Sequence, residues 1–190
     1  VVIDGTLSIA NTLSGASATS YGIYNANGDI AINGTLDVNS TLSGATASSY
    51  GIYSTGGTID LNATGDMKVD TTFTSANGYT DTYSRVFGIY NAGTLNLAGG
   101  TLSTTSTILS LGTDQIGTGI YNTGTLNIDL SIQKTTIDGF EYGVRGTTVI
   151  DQTNYLAGNV NFTNDAWDQV IPLRITADPN IVAGSSEYDL

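Results

Sequence analysis

Tyr50-Gly51-Ile52-Tyr53, followed after a short glycine-rich turn by Gly57-Thr58-Ile59-Asp60-Leu61, is a pair of phrases that this chain says several times. Tyr21-Gly22-Ile23-Tyr24-Asn25, Phe87-Gly88-Ile89-Tyr90-Asn91 and Gly119-Ile120-Tyr121-Asn122 repeat the first. Gly5-Thr6-Leu7-Ser8-Ile9, Gly34-Thr35-Leu36-Asp37-Val38, Gly93-Thr94-Leu95-Asn96-Leu97 and Gly124-Thr125-Leu126-Asn127-Ile128 repeat the second. The glycines Gly22, Gly51, Gly88 and Gly119 step by 29, 37 and 31 residues. Self-similarity at such a period is the mark of a solenoid or propeller.

Between the glycines, short runs alternate apolar and polar residues: Tyr21 to Asn25, Ile30 to Val38, Thr41-Leu42-Ser43. Period-two alternation rich in Thr, Ile, Val and Tyr is strand patterning, and Asn27-Gly28, Asn33-Gly34 and Gly56-Gly57 are turn dipeptides. No stretch places apolar residues at helical spacing over three turns. Residues 12–24 and 41–53 match almost position for position at an offset of 29. Register that close lets like residues stack from coil to coil at about 4.8 Å. Propeller blades need about 40–45 residues, more than these units hold. The pattern therefore predicts an all-β, right-handed parallel β-helix (solenoid) of about five to six coils with three short strands each, the hand following the usual crossover rule. Repeats occupy 1–145; residues 146–190, where the pattern fades around Trp167, Pro172 and Pro179, are expected to form irregular final coils or a C-terminal cap.

Parity assigns the sides of each strand. With Ile23, Ile52, Ile89 and Ile120 facing the interior, alternation puts Tyr21, Tyr50 and Phe87 beside them and turns Gly22 and Tyr24 outward. Leu36/Val38, Ile59/Leu61, Leu95/Leu97 and Leu126/Ile128 are read as one stacked interior strand. Asn25, Asn91 and Asn122 fall at a corner, where stacked amides bond along the axis. Residues 64–86 break the repeat and concentrate Lys68, Asp81 and Arg85, and insertions in solenoids often form binding loops on one face.

Composition narrows the chemistry. Five Lys+Arg against 17 Asp+Glu give a net charge of −12 in 190 residues. A chain so acidic has no basic stripe for phosphates, which argues against nucleic acid and anionic membranes. Only 12% of residues are charged, against about 25% in ordinary domains. There is no Cys and no His, which excludes Cys nucleophiles, His-based triads and thiolate or imidazole metal sites. Membrane insertion is not expected, since no apolar run approaches the ~20 residues of a spanning helix. Paired carboxylates remain, the best cluster being Asp165-Ala166-Trp167-Asp168, but it lies in the expected cap. No enzyme activity and no cofactor or metal are expected. Rows of Thr bring ice-binding solenoids to mind, but Thr-x-Thr is read here as out of register.

The outward tyrosines carry more interest. Tyr24, Tyr53, Tyr90 and Tyr121 should form an exposed column, a contact surface for a host glycan or protein. The GIYN…GTLNL phrase, over roughly 1–145, resembles the repeats of bacterial autotransporter adhesin passenger domains. That resemblance implies a passenger exported unfolded, folding outside the cell and presenting adhesive faces. The expectation is a non-enzymatic extracellular or cell-surface protein of a prokaryote, acting in attachment. The alternatives are a self-assembling filament, sheath or surface-layer subunit joined through solenoid ends and, more weakly, a polysaccharide-degrading β-helix or tailspike fragment.

Overall fold

A computed structural model describes residues 1–75, 84–109, 115–128, 132–139, 142–146, 148–151, 160–164 and 173–176. In chain order the first strands are β1 (Val2–Ile3), β2 (Thr6–Asn25), β3 (Ile30–Ile32), β4 (Thr35–Ser54), β5 (Thr58–Leu61), β6 (Asp66–Ser75), β7 (Ser84–Asn91) and β8 (Thr94–Leu97). They are followed by β9 (Gly100–Leu109), β10 (Gln115–Asn122), β11 (Thr125–Ile128), β12 (Ile132–Gly139), β13 (Tyr142–Gly146), β14 (Thr148–Asp151), β15 (Val160–Asn164) and β16 (Leu173–Thr176). Every pairing is parallel, and no helix occurs among the described residues.

Three faces wind around the axis. The first stacks β1, β3, β5, β8, β11, β14 and β16 in that order. The second stacks the leading halves of β2 and β4 under β6, β9, β12 and β15. The third stacks the trailing halves of β2 and β4 under β7, β10 and β13. The long β4 serves two faces, pairing Thr35–Gly44 with β6 and Ala47–Ser54 with β7. This is the parallel β-solenoid expected. Where the sequence predicts five to six coils, the faces hold seven, six and five described strands respectively. The backbone ladder also runs through the corners, as in Thr55 N–H to Asn25 O at 2.9 Å and Ala92 N–H to Ser54 O at 2.8 Å.

The register corrects two expectations. Leu36 and Val38 stack under Met67 and Val69 on the second face, whereas Ile59 and Leu61 stack over Ile30 and Ile32 on the first. The Gly34 and Gly57 phrases are thus not the same strand. Alternation after a turn glycine suits either corner, so the two look alike. The true partner of Thr35–Val38 is Asp66-Met67-Lys68-Val69, disguised by charged residues at its outward positions. Asp66–Ser75 is accordingly a regular strand and not an insertion loop.

The second correction concerns parity at the glycine. Ser20 points inward and is buried, Tyr21 is 38% exposed, and a β-carbon on Gly22 would run into the side chain of the buried Val38. Gly22, Gly51 and Gly88 therefore face inward, and so do Ile52 and Ile89 immediately after two of them. Two successive inward residues break the alternation, and Tyr21 and Tyr50 end up on the same outer side as Tyr24 and Tyr53. The cause is close approach. At Gly51 the obstacles are Val69, Thr71 and the Gly88 carbonyl; at Gly88 they are Thr104 and the Gly119 carbonyl.

The core is divided. A large cluster gathers Ile32, Leu36, Val38, Ile52, Ile59, Leu61, Met67, Val69, Ile89, Leu95, Leu97, Leu102, Ile120 and Leu126. A smaller one holds Leu42, Phe73, Val86 and Ile108. Buried hydroxyls occupy the interior strand positions between the two clusters: Ser40, Thr71 and Ser106 share one register row. Ser40 Oγ lies 3.2 Å from Ser20 Oγ and 3.4 Å from Ser49 Oγ. Small hydroxyl residues suit the place where two sheets converge, because they fill little space and satisfy one another.

Asparagine rows bind coil to coil as expected. Asn91 Nδ2 donates to Asn122 Oδ1 at 2.7 Å, and Asn25 Nδ2 donates to Ser54 Oγ at 3.2 Å. Two outer rows end on aspartate: Asn62 to Asn33 to Asp4, and Asn127 to Asn96 to Asp60, with steps of 2.7–2.8 Å. The inner row has a gap. Ser54 gives its hydrogen to Gly56 O, and Asn91 Oδ1 is buried without a partner.

Two substitutions test this account by denaturant unfolding. Gly51→Ala should lose about 1–3 kcal/mol through overpacking, while Gly15→Ala, whose β-carbon meets only Ala18 Cβ at 3.7 Å, should stay within about 0.5 kcal/mol. Ser54→Asn should stabilise by about 0.5–1.5 kcal/mol by giving Asn91 Oδ1 a donor; a destabilised variant would show that the corner cannot hold a fourth amide.

Candidate functional site

Because the glycine corner turns both aromatic positions outward, three coils contribute two rings each to one strip and a fourth adds Tyr121. Tyr24, Tyr53, Tyr90 and Tyr121 form one column, with centroid steps of 5.6, 4.6 and 5.4 Å and interplanar angles of 18°, 19° and 20°. Tyr21, Tyr50 and Phe87 form a second, with steps of 5.2 Å and angles of 15° and 16°. The columns meet edge to face: Tyr21 with Tyr24 at 5.5 Å, Tyr50 with Tyr53 at 4.8 Å, Phe87 with Tyr90 at 6.3 Å. Offset-stacked and edge-to-face pairs are the two favourable aromatic geometries, each giving about 0.5–1.5 kcal/mol beyond burial. The strip uses both.

Exposure falls along the strip. Tyr24 is 58% exposed, whereas Tyr53, Tyr90 and Tyr121 are half-buried by their neighbours and Phe87 is buried. The four expected tyrosines are thus brought together, and Tyr21, Tyr50 and Phe87 join them. Parity had placed these three in the core; Tyr21 is exposed and Tyr50 half-buried, while Phe87 is buried, though outside both apolar clusters. The signal that would have found them is the glycine between them and the isoleucine, repeated in every coil.

Arg85 lies on β7 two residues before Phe87, at an exposed position paired with Ser48 below. Its positive charge reaches Tyr50. Lys68 is elsewhere, on β6 of the second face between Asp37 and Ser103, and forms an ion pair with Asp70 at 2.7 Å. That hydrogen bond and the Asp70 charge, with a smaller part from Asp37, raise its pKa above the usual lysine value. Lys68 and Arg85 therefore sit on two different strands and faces, not on one loop. Asp81 lies outside the described residues, as do Asp165, Trp167 and Asp168. Among the described residues no group of three or more acidic, His or Cys side chains is placed to hold a metal ion. No helix there is long and apolar enough to cross a membrane.

The second face holds a row the sequence reading missed. Thr12, Thr41, Thr72 and Thr107 stack in register, with Ser14, Ser43 and Thr74 beside them. Thr-x-Thr itself occurs in these rows only at Thr72 and Thr74, between Thr41-x-Ser43 and Thr107-x-Leu109, so that motif is not kept in register, as expected. Adjacent outward rows carry Asp37, Lys68 and Asp70, so the row does not stand in an uncharged plane.

No family model, curated protein or solved structure matches the chain. The fold class is that of the parallel β-solenoids, and what this one offers a partner has to be read from its surface rows.

Two phenols of the strip, Tyr50 and Tyr53, are tuned by their crowding. Burial first, then the neighbouring Tyr21 and Tyr53, push Tyr50 above its ordinary value of 10.0, against weaker pulls from the Ser48 hydrogen bond and Arg85. Tyr53 is raised by burial, then by Tyr90, Tyr21 and Tyr24. Folding thus favours the neutral phenols. Their contribution is fully present below the unfolded pKa and is lost as pH rises through the higher folded-state values. The unfolding midpoint should fall between neutral pH and about pH 11, and Tyr53→Phe should make that fall shallower. An equal fall in both proteins would remove the coupling.

Proposed function

We propose that this chain is a non-enzymatic attachment module displayed outside a prokaryotic cell, and that the aromatic strip is its contact surface. The observation that carries this reading is the ladder itself. Seven aromatic rings stack on the outer side of the third face, while the aliphatic core lies elsewhere. Aromatic residues dominate contact energies, and tyrosine combines an apolar body with a polar tip. A stacked row is also rigid before contact, so little side-chain entropy is lost when a partner binds.

The extracellular setting follows from the likeness of the GIYN…GTLNL phrase to repeats of autotransporter adhesin passengers. A solenoid also suits such a role physically, since each coil packs only on its neighbours and the surface lengthens with every repeat. The low proportion of charge, 12%, favours contacts made by hydroxyl, amide and aromatic groups over salt-dependent ones.

Beads coated with the chain should capture cultured epithelial cells or extracellular-matrix components, and Tyr90→Ala should reduce that capture at least about fivefold. Circular dichroism and melting confirm that the variant is still folded. Undiminished capture by the folded variant removes the strip from the interaction, and absence of capture by the parent chain removes the attachment reading.

A further inference from the structure

We infer that the partner of the strip is a neutral, extended β-linked polysaccharide lying along the solenoid axis, held by ring edges and phenol hydroxyls; this rests on the attachment reading above.

Aromatic residues usually meet sugars face on. Here the faces of the two middle rings are taken. Tyr53 lies between Tyr24 and Tyr90, and Tyr90 between Tyr53 and Tyr121, all near-parallel at 4.6–5.6 Å. The inner side of each ring is met by the second column, through Tyr21, Tyr50 or Phe87. What Tyr53 and Tyr90 still present is an edge and a hydroxyl, and exposed Tyr24 adds a third below them. A hydroxyl both donates and accepts, which suits a partner that is itself a row of hydroxyls.

The spacing selects the partner further. The coils repeat at about 4.8 Å, with ring centroids 4.6–5.6 Å apart, close to the length one pyranose ring adds to an extended β-linked chain, so each sugar meets one rung and alternate sugars show it the same face. An extended peptide along the same line advances about 3.3 Å per residue and about 6.6 Å per like-facing pair. It would lose phase within the ladder.

The flank supplies room. Two residues past the tyrosines, Ala26, Thr55, Ala92 and Thr123 are small and exposed, and they form a low shelf parallel to the column. The Thr55 and Thr123 hydroxyls donate to Ala26 O and Asn91 O, so they keep lone pairs for an incoming hydroxyl. A chain resting on this shelf has the tyrosine edges as its wall. Net charge of −12 disfavours uronate and sulfated polymers by long-range repulsion, which leaves the neutral ones.

The test is calorimetric titration of the full chain with cello- and chito-oligosaccharides from disaccharide to hexasaccharide. Affinity should climb with each added sugar until the ladder is spanned and then level off. Tyr53→Phe and Tyr90→Phe keep the stack and remove one hydroxyl each, so each should weaken hexasaccharide binding about three- to tenfold with the melting temperature unchanged. Binding that ignores chain length, Phe variants that bind like the parent, or tighter binding to sulfated polymers would each overturn the inference. If the chain captures cells through Tyr90 yet binds none of these oligosaccharides, attachment stands and the polysaccharide assignment falls; if neither occurs, both fall.

Discussion

A missing β-carbon organises this molecule. The second and third faces approach so closely at Gly22, Gly51 and Gly88 that the neighbouring coil's Val38, Val69 or Thr104 occupies the space a side chain would need. Conformational freedom is not the reason, since none of these three glycines has a positive φ. Only absence of volume will serve. From that contact follow the inward turn of the next isoleucine, the outward turn of the tyrosine before it, and the meeting of two aromatic columns on one strip. The surface chemistry is thus set by a packing condition inside.

The same convergence divides the interior. On one side of the pinch lie the long aliphatic rows of the three-faced core, on the other the pocket of Leu42, Phe73, Val86 and Ile108. Between them the register row Ser40, Thr71, Ser106 gives small side chains where large ones would force the sheets apart. The arrangement is not fully satisfied: Thr71 Oγ1 is buried without a partner. Buried polar groups of this kind lower stability relative to an apolar filling. They also make the interior less able to slip by two residues, because hydroxyls and aliphatics on the inner face would then exchange places.

Much of this was legible in the residues. The offset of 29 between 12–24 and 41–53 already contains the register of β2 on β4, and the corner asparagines were correctly read as bonding along the axis. What misled was local resemblance. Gly34-Thr35-Leu36-Asp37-Val38 looks like Gly57-Thr58-Ile59-Asp60-Leu61, yet pairs with Asp66-Met67-Lys68-Val69, whose outward charges hide the kinship. Strict parity likewise failed at one residue, and that was enough to send Tyr21 and Tyr50 to the wrong side. A period-two rule has no place for a glycine that exists because of a neighbour sixteen or eighteen positions further on. The column Tyr24, Tyr53, Tyr90, Tyr121 was found because it lies past the irregularity, where counting from the isoleucine is safe.

The hydrogen bonds that join the coils lie along the axis, both in the backbone ladders and in the asparagine rows. A tether pulled at its two ends would therefore load them in tension, one turn after another, and not in shear across a whole sheet. Such a thread gives way in a succession of small rips, each releasing a few tens of residues and relieving the force on the remainder. Under flow or drag that behaves as a shock absorber, lengthening before it lets go.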